Sequence, residues 1–377
     1  MKKAYLGFVM VVTLVMAMGG IVTVANGKKE YSENENRYLT RFPHPDGKEI
    51  LSGKMQEEIT DAFNDQFPNR DFWTSISTEV EKTMGKQEIG GVYLGKDHYY
   101  FEKIGNQDIS QTNYFQNLRF IKYIAAQQEQ AEVTTMLVPS PGSVLKDKLP
   151  QHAPLFDSDK LFREAQELLE GEGTLLDLRP VLKKIGKNKQ IYFKTDHHWS
   201  LRGAHAGYQA YMESLGEKAK SYEDFAVQVI SDSFYGTLYS KALDSRAVPD
   251  ELDAVALTSR VRVSCDGQER DTIYDDSKRD TKDKYAYFFG GNYGEVQIEN
   301  QDWGKASERK LLVIKDSFAN SLVPFFIEDY SQICMLDLRY YKGSVKELIE
   351  SYGADEILVL YEISNFAQDT NLNKLTK

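Results

Sequence analysis

An α/β fold with a parallel sheet flanked by helices, carried behind an N-terminal membrane anchor and a small helical and hairpin region, is what this 377-residue sequence predicts. Three observations lead there. After Met1-Lys2-Lys3 an almost unbroken apolar run extends from Ala4 to Ala25, about the ~20 residues a helix needs to cross hydrocarbon. Toward the C-terminus, apolar runs at Lys310-Leu311-Leu312-Val313-Ile314, Ile333 to Leu338 and Ile357 to Tyr361 alternate with helical patterns, which implies parallel strands joined by right-handed crossovers. Between these ends, Ile191-Tyr192-Phe193 reads as a short strand that delivers the chain to Asp196-His197-His198-Trp199, ahead of a further helix.

A hydrophobic content of 41% and a charged content of 27% are those of a globular chain with a sizeable core. The formal net charge of -11 argues against a nucleic-acid partner, which calls for a concentrated basic surface. Cys265 and Cys334 are the only cysteines, too few for a disulfide scaffold or a cysteine metal site; whether they pair is open.

The apolar run, residues 1–25, is an anchor or an export signal. It exceeds the ~7–15 apolar residues of a signal-peptide core, and Thr23-Val24-Ala25 is only a partial cleavage site, so an uncleaved anchor is favoured. Lys2 and Lys3 place the N-terminus in the cytoplasm and the rest of the chain on the extracytoplasmic face, although Lys28 and Lys29 beyond the span reduce the asymmetry.

Residues 26–50 are polar and read as a tether. Residues 51–109 form the small region: helical spacing from Leu51 to Phe63, a loop at Asn64-Asp65-Gln66-Phe67-Pro68-Asn69-Arg70, a second helix from about Asp71 to Met84, and a hairpin around Gly95-Lys96-Asp97. Residues 110–377 are the main domain. It opens with a helix over Ser110 to Glu129 and a buried strand at Val133 to Pro139, followed by an amphipathic helix over Asp159 to Glu170. Ser200 sits where an N-cap belongs, so Asp196 to Trp199 is a strand-to-helix loop. Residues 221–308 carry little periodicity and, with the charged run from Asp271 to Asp283, read as an exposed excursion.

In an extended loop Asp196 and His198 face the same way while His197 points elsewhere. A carboxylate on one imidazole nitrogen leaves the other free to take a proton from a hydroxyl, and Ser317, after the Lys310–Ile314 strand, supplies a candidate hydroxyl at a helix start. Structural alternatives stand beside this: Asp316-Ser317 as a helix N-cap, and His198 as a hydrogen-bonded histidine. A metal site built from Asp196, His197, His198 and His205 is the weaker functional reading, because its ligands come from one short stretch. His44, His98 and His152 read as surface residues.

Thr195-Asp196-His197-His198-Trp199, the later Lys315-Asp316-Ser317-Phe318-Ala319-Asn320-Ser321 and the anchor resemble the DHHW family and, more distantly, alginate O-acetylation proteins with SGNH-hydrolase-like domains; Asn64 to Arg70 and Val92 to Asp97 share the resemblance. It implies an SGNH-hydrolase-like main domain with Ser317 as nucleophile, His198 as base and Asp196 as its orienting carboxylate, and no metal or other cofactor. It implies an extracytoplasmic O-acetyltransferase acting on a cell-surface or secreted polysaccharide, often beside a membrane-bound acyltransferase. The alternatives are a carbohydrate acetylesterase and a non-catalytic polysaccharide-binding or assembly protein. Lys315 departs from the family by standing where many SGNH enzymes have the glycine of Gly-Asp-Ser. Candidate oxyanion donors are the Ser317 and Phe318 backbone N–H groups and the side chains of Asn292 and Asn365. Trp199 is a candidate sugar platform, with a buried loop anchor as the alternative.

Overall fold

The computed structural model describes residues 2–26, 29–32, 34, 37–44, 53–128 and 131–376. The expected helix start at Leu51 and Ser52, the end at Glu129, and parts of the tether lie outside them. The chain divides into two compact units, Met1–Gly90 with Tyr239–Ala247, and Gly91–Leu238 with Val248–Lys377. The boundary therefore falls before the hairpin, which the sequence grouped with the helices ahead of it.

In the first unit, α1 (Lys2–Asn26) contains Tyr5–Ala25, the one helix among the described residues that is long and apolar enough to cross a membrane. Two further helices follow, α2 (Lys54–Gln66) and α3 (Arg70–Thr83). The described part of the expected tether is held down at the end of α2. Asp65 pairs with Arg37 at 2.6 Å and accepts the Thr40 N–H at 2.8 Å, and Gln66 donates to the Lys29 and Thr40 carbonyls. The Arg37 hydrogen bond outweighs the cost of burial and lowers the Asp65 pKa.

In the second unit, β1 (Val92–Leu94) and β2 (Tyr100–Glu102) form the expected antiparallel hairpin. After α4 (Gln111–Gln127) come β3 (Glu132–Val138), α5 (Ser158–Leu169), β4 (Thr174–Asp177), α6 (Arg179–Gly186) and α7 (Leu201–Ser214). Next are β5 (Val227–Phe234), β6 (Asp250–Val255), β7 (Val261–Cys265), β8 (Gln268–Arg270) and β9 (Glu295–Asn300). The chain finishes through β10 (Lys310–Lys315), β11 (Gln332–Leu336), α8 (Val345–Tyr352), β12 (Glu356–Glu362) and α9 (Ile363–Gln368).

One eight-stranded sheet has the order β8-β7-β9-β11-β10-β12-β3-β4. The run β11-β10-β12-β3-β4 is parallel, as the alternating pattern requires. Inside their end residues, β10, β11 and β12 are apolar and buried at every position or nearly so because both faces are covered. Leu311, Val313, Leu358 and Leu360 join the core under α6 and α7, whereas Leu312, Ile314, Ile357 and Val359 join the core under α4, α5 and α8. The period-two alternation of a strand divides them.

The region read as an excursion, 221–308, is instead part of the body. Its β7, β8 and β9 extend the sheet antiparallel from β11, and β5 pairs with β6. Cys265 and Cys334 are buried, free thiols in β7 and β11.

Candidate active site

The Asp-His-His segment is a pinched loop. Tyr192 and Trp199 form an isolated antiparallel bridge, the Phe193 N–H donates to the His198 carbonyl at 3.1 Å, and the Ser200 N–H donates to the Ile191 carbonyl at 3.0 Å. The short strand expected at Ile191-Tyr192-Phe193 is only this bridge. Asp250, at the start of β6, staples the loop from outside: its carboxylate accepts the Lys194 and Thr195 N–H groups at 2.8 Å each, the Thr195 hydroxyl at 2.7 Å and the Gln190 amide at 2.7 Å. Burial pushes the Asp250 pKa up against these bonds. Ser200 then caps α7, where Gly203 is required because a Cβ there would sit 2.2 Å from the Ile191 carbonyl oxygen.

Within this loop His198 Nδ1 lies 2.6 Å from Asp196 Oδ1, and His198 Nε2 lies 2.7 Å from Ser317 Oγ. The structure thus brings Asp196, His198 and Ser317, separated by 119 residues between the last two, into one hydrogen-bonded line. The other Asp196 oxygen accepts the Thr237 N–H at 2.8 Å and its hydroxyl at 3.0 Å. Gly236 makes that approach possible, since a Cβ there would be 2.2 Å from the Asp196 Cβ. Thr237, Gly236, Asp250 and Tyr285 all come from segments the sequence left unread. Tyr285 stacks its ring on His198 at 3.8 Å between centroids and donates its hydroxyl to the Ser317 carbonyl at 3.1 Å.

Burial pushes the His198 imidazole down to about 4, with His197 nearby acting in the same direction and Asp196 opposing. At neutral pH the ring is therefore neutral, with its Nδ1 proton on Asp196 and Nε2 turned to the serine. Burial works against ionisation of Asp196, but the two histidines and the Thr237 N–H outweigh it and hold the carboxyl below the usual range. Asp196 and His198 are buried; Ser317 and His197 are half-buried.

His197 does not point away. The loop is bent rather than extended, so its ring centroid sits 4.0 Å from that of His198 and its Nδ1 lies 2.7 Å from the Thr237 hydroxyl. It lines a crevice of empty volume about 450 Å³, together with Ser140, Leu155, Phe318 and Asn365. That crevice opens beyond the carboxyl ends of β3, β10 and β12, the usual place for a ligand in a parallel sheet.

The oxyanion candidates separate. The Phe318 N–H is engaged, donating to Asp316 Oδ1 at 3.0 Å, so it is not a free donor. The Ser317 N–H has no hydrogen-bond partner among the described residues. Asn365 donates to Asp316 Oδ2 at 2.9 Å, beside the Glu362 N–H at 2.9 Å; Asp316 thereby ties the end of β10 to the end of β12, a structural duty. Asn292 is exposed and its carbonyl oxygen accepts Lys315 Nζ at 3.0 Å and Asn320 Nδ2 at 3.2 Å. Lys315 is buried, with its ammonium also on Asn320 at 2.9 Å; burial lowers it to about 8 while Asp337 opposes.

Trp199 is no sugar platform. It is fully buried, and its indole N–H donates to the Phe318 carbonyl and the Ser321 hydroxyl, each at 3.0 Å, so it ties the histidine loop to the serine turn. Nor does the four-residue metal set assemble. Asp196, His197 and His198 offer atoms within 4.8 Å of one another, but both Asp196 oxygens are taken by hydrogen bonds. His205 lies apart on α7, bonded to the Lys220 carbonyl and packed against Phe325. His44, His98 and His152 are exposed.

Two probable alginate O-acetylases, AlgJ of Pseudomonas putida and of Pseudomonas syringae pv. tomato, are 21% identical to this chain over 190 residues and 22% identical over 197 residues. The matches cover 48% and 49% of this chain and 48% and 50% of theirs, so the chain spans about half the length of these relatives. Among solved structures, a DHHW family protein from Eubacterium siraeum superposes with a TM-score of 0.65 at 21% identity, covering 77% of this chain and 96% of that one. Bacillus cereus PatB1 with a sulfonyl adduct superposes with a TM-score of 0.61 at 22% identity, covering 74% and 95%. The main domain is thus an SGNH-hydrolase-like α/β fold. The DHHW protein family model matches residues 180–336, which hold the Asp-His-His-Trp loop and the serine turn.

Proposed function

We propose that the chain is a membrane-anchored, extracytoplasmic O-acetyltransferase that acylates a hydroxyl of a cell-surface or secreted polysaccharide through a serine acyl-enzyme. The observation that carries this reading is the line from Asp196 through a neutral, buried His198 to Ser317 Oγ, with contacts of 2.6 and 2.7 Å. The name shared by the alginate O-acetylase relatives supports the substrate class. The apolar helix Tyr5–Ala25 supports the anchor.

Ser317 Oγ attacks the acetyl carbonyl as His198 Nε2 takes its proton, and the imidazolium is stabilised by Asp196. The free Ser317 N–H faces the developing oxyanion. His198 returns the proton to the leaving oxygen, then deprotonates the acceptor hydroxyl, which attacks the acyl-enzyme and releases Ser317. The donor comes from a membrane-bound acyltransferase working beside the chain. An acetylesterase would use the same residues with water as acceptor, and a binding or assembly protein would need none of them.

Turnover of a chromogenic acetyl ester by the full chain in detergent, with and without an added oligosaccharide, separates the three. A transferase produces acetylated sugar, an esterase only acetate, and both lose activity in Ser317→Ala and His198→Ala. Equal inertness of all three proteins would refute a catalytic role.

A further inference from the structure

Helix α3 is inside out. Phe72, Trp73, Ile76 and Val80, with Met84 just past its end, are 59%, 52%, 40%, 53% and 79% exposed. At about 100° per residue they share one face of roughly 120°. The polar side is the one that packs within its unit: Thr78 is buried and donates to the Ala242 carbonyl at 2.8 Å, and Lys82 Nζ lies 2.6 Å from Asp244 Oδ1. Single apolar residues on a surface are ordinary, but a continuous aromatic and aliphatic face marks an interaction surface.

The same unit contains the apolar helix Tyr5–Ala25. A Cβ at Gly19 would meet the Phe67 ring at 3.9 Å, and Phe67, itself 41% exposed, stands just ahead of α3. Gly19 lies six residues from Ala25, or roughly 9 Å along a helix. The start of α3 is thus held level with the last turns of the span, where hydrocarbon gives way to headgroups. Aromatic rings settle at that depth, and an amphipathic helix there lies in the plane with its apolar face turned inward.

We propose that α3 lies along the surface of the bilayer that the apolar helix enters, seating Phe72, Trp73, Ile76, Val80 and Met84 among the outer acyl-chain carbons. The occupant is lipid because the face is continuous, through Phe67, with the helix that is itself built for lipid. The small helical region then forms a second, interfacial contact beside the span.

The test uses the full chain reconstituted into phosphatidylcholine vesicles, with tryptophan emission quenched by acyl chains brominated near their headgroup end. Of the three tryptophans, Trp199 is fully buried and the Trp303 indole is bonded to the Ser307 carbonyl. Trp73→Phe keeps the face apolar and removes the reporter, so quenching is expected to fall several-fold against the unmodified chain. Phe72→Ser with Ile76→Ser is expected to shift the Trp73 emission to the red and weaken its quenching, with the near-ultraviolet circular dichroism unchanged. Equal quenching in the unmodified chain and Trp73→Phe overturns the proposal. So does a Trp73 shielded from bromolipid whose emission depends on protein concentration in detergent, which would mean that a second copy covers the face.

Discussion

Asp196→Asn isolates the electrostatic core of the proposed mechanism while altering the fewest atoms. Asp196 accepts four hydrogen bonds: from His198 Nδ1 at 2.6 Å, the His198 N–H at 3.0 Å, the Thr237 N–H at 2.8 Å and the Thr237 hydroxyl at 3.0 Å. An asparagine can keep its oxygen toward Thr237 and preserve two of these. Its amide then faces the histidine as a donor, which selects the wrong imidazole tautomer and turns an N–H toward Ser317. The base can no longer accept the serine proton, and kcat/KM is expected to fall by about 10⁴, which is about 5 kcal/mol at ~1.4 kcal/mol per decade. The amide also meets the His198 backbone N–H, donor against donor, and the loss of charge-assisted bonds costs about 2–3 kcal/mol of stability. Steady-state ester turnover reads the first effect and chemical denaturation the second. A kcat/KM within tenfold of the unmodified protein would refute the assignment of Asp196 as the orienting carboxylate.

Four further outcomes follow from the buried groups. With His198 held down to about 4, kcat/KM should drop tenfold per unit as pH falls below about 4; a limb near 6.5 would contradict its burial. The same depressed pKa makes the unfolded chain bind more protons between about 4 and 6.5, so stability contributed by His198 is present above about 6.5 and is lost as pH falls toward 4. Burial pushes Glu362 up to about 8, so the folded state keeps a proton that the unfolded chain gives up. Stability is therefore lost as pH rises from about 4.5 to 8, and Glu362→Gln should flatten the fall of Tm across that window. Trp199→Ala should cost about 3–5 kcal/mol in denaturant titrations; a variant as stable as the parent but with raised KM would restore the sugar-platform reading.

The parallel strands were legible because burial on both faces writes an unbroken apolar run, as in Leu311 to Ile314 and Ile357 to Tyr361. The hydrogen-bonded pair Asp196 and His198 was legible from their two-residue spacing, although the reason was imperfect: the loop is bent, and His197 turns toward the crevice as well. The strands β7 to β9 were not legible. They lie at the edge of the sheet, carry polar residues on alternate positions and are separated by charged loops, so Arg262, Glu269 and Glu299 look like exposed chain. Thr237 and Asp250 were missed for another cause. Each acts through a backbone or carboxylate contact made by tertiary folding, and a lone Thr or Asp carries no local signature. The occupied Phe318 N–H likewise depended on the Asp316 rotamer.

The most direct test of the central claim is covalent labelling of the full chain with an aryl sulfonyl fluoride, located by tandem mass spectrometry. A single adduct on Ser317, strongly slowed by His198→Ala and absent from Ser317→Ala, is the predicted result. Failure to label, or an adduct that survives Ser317→Ala unchanged, would contradict the assignment of Ser317 as the activated nucleophile.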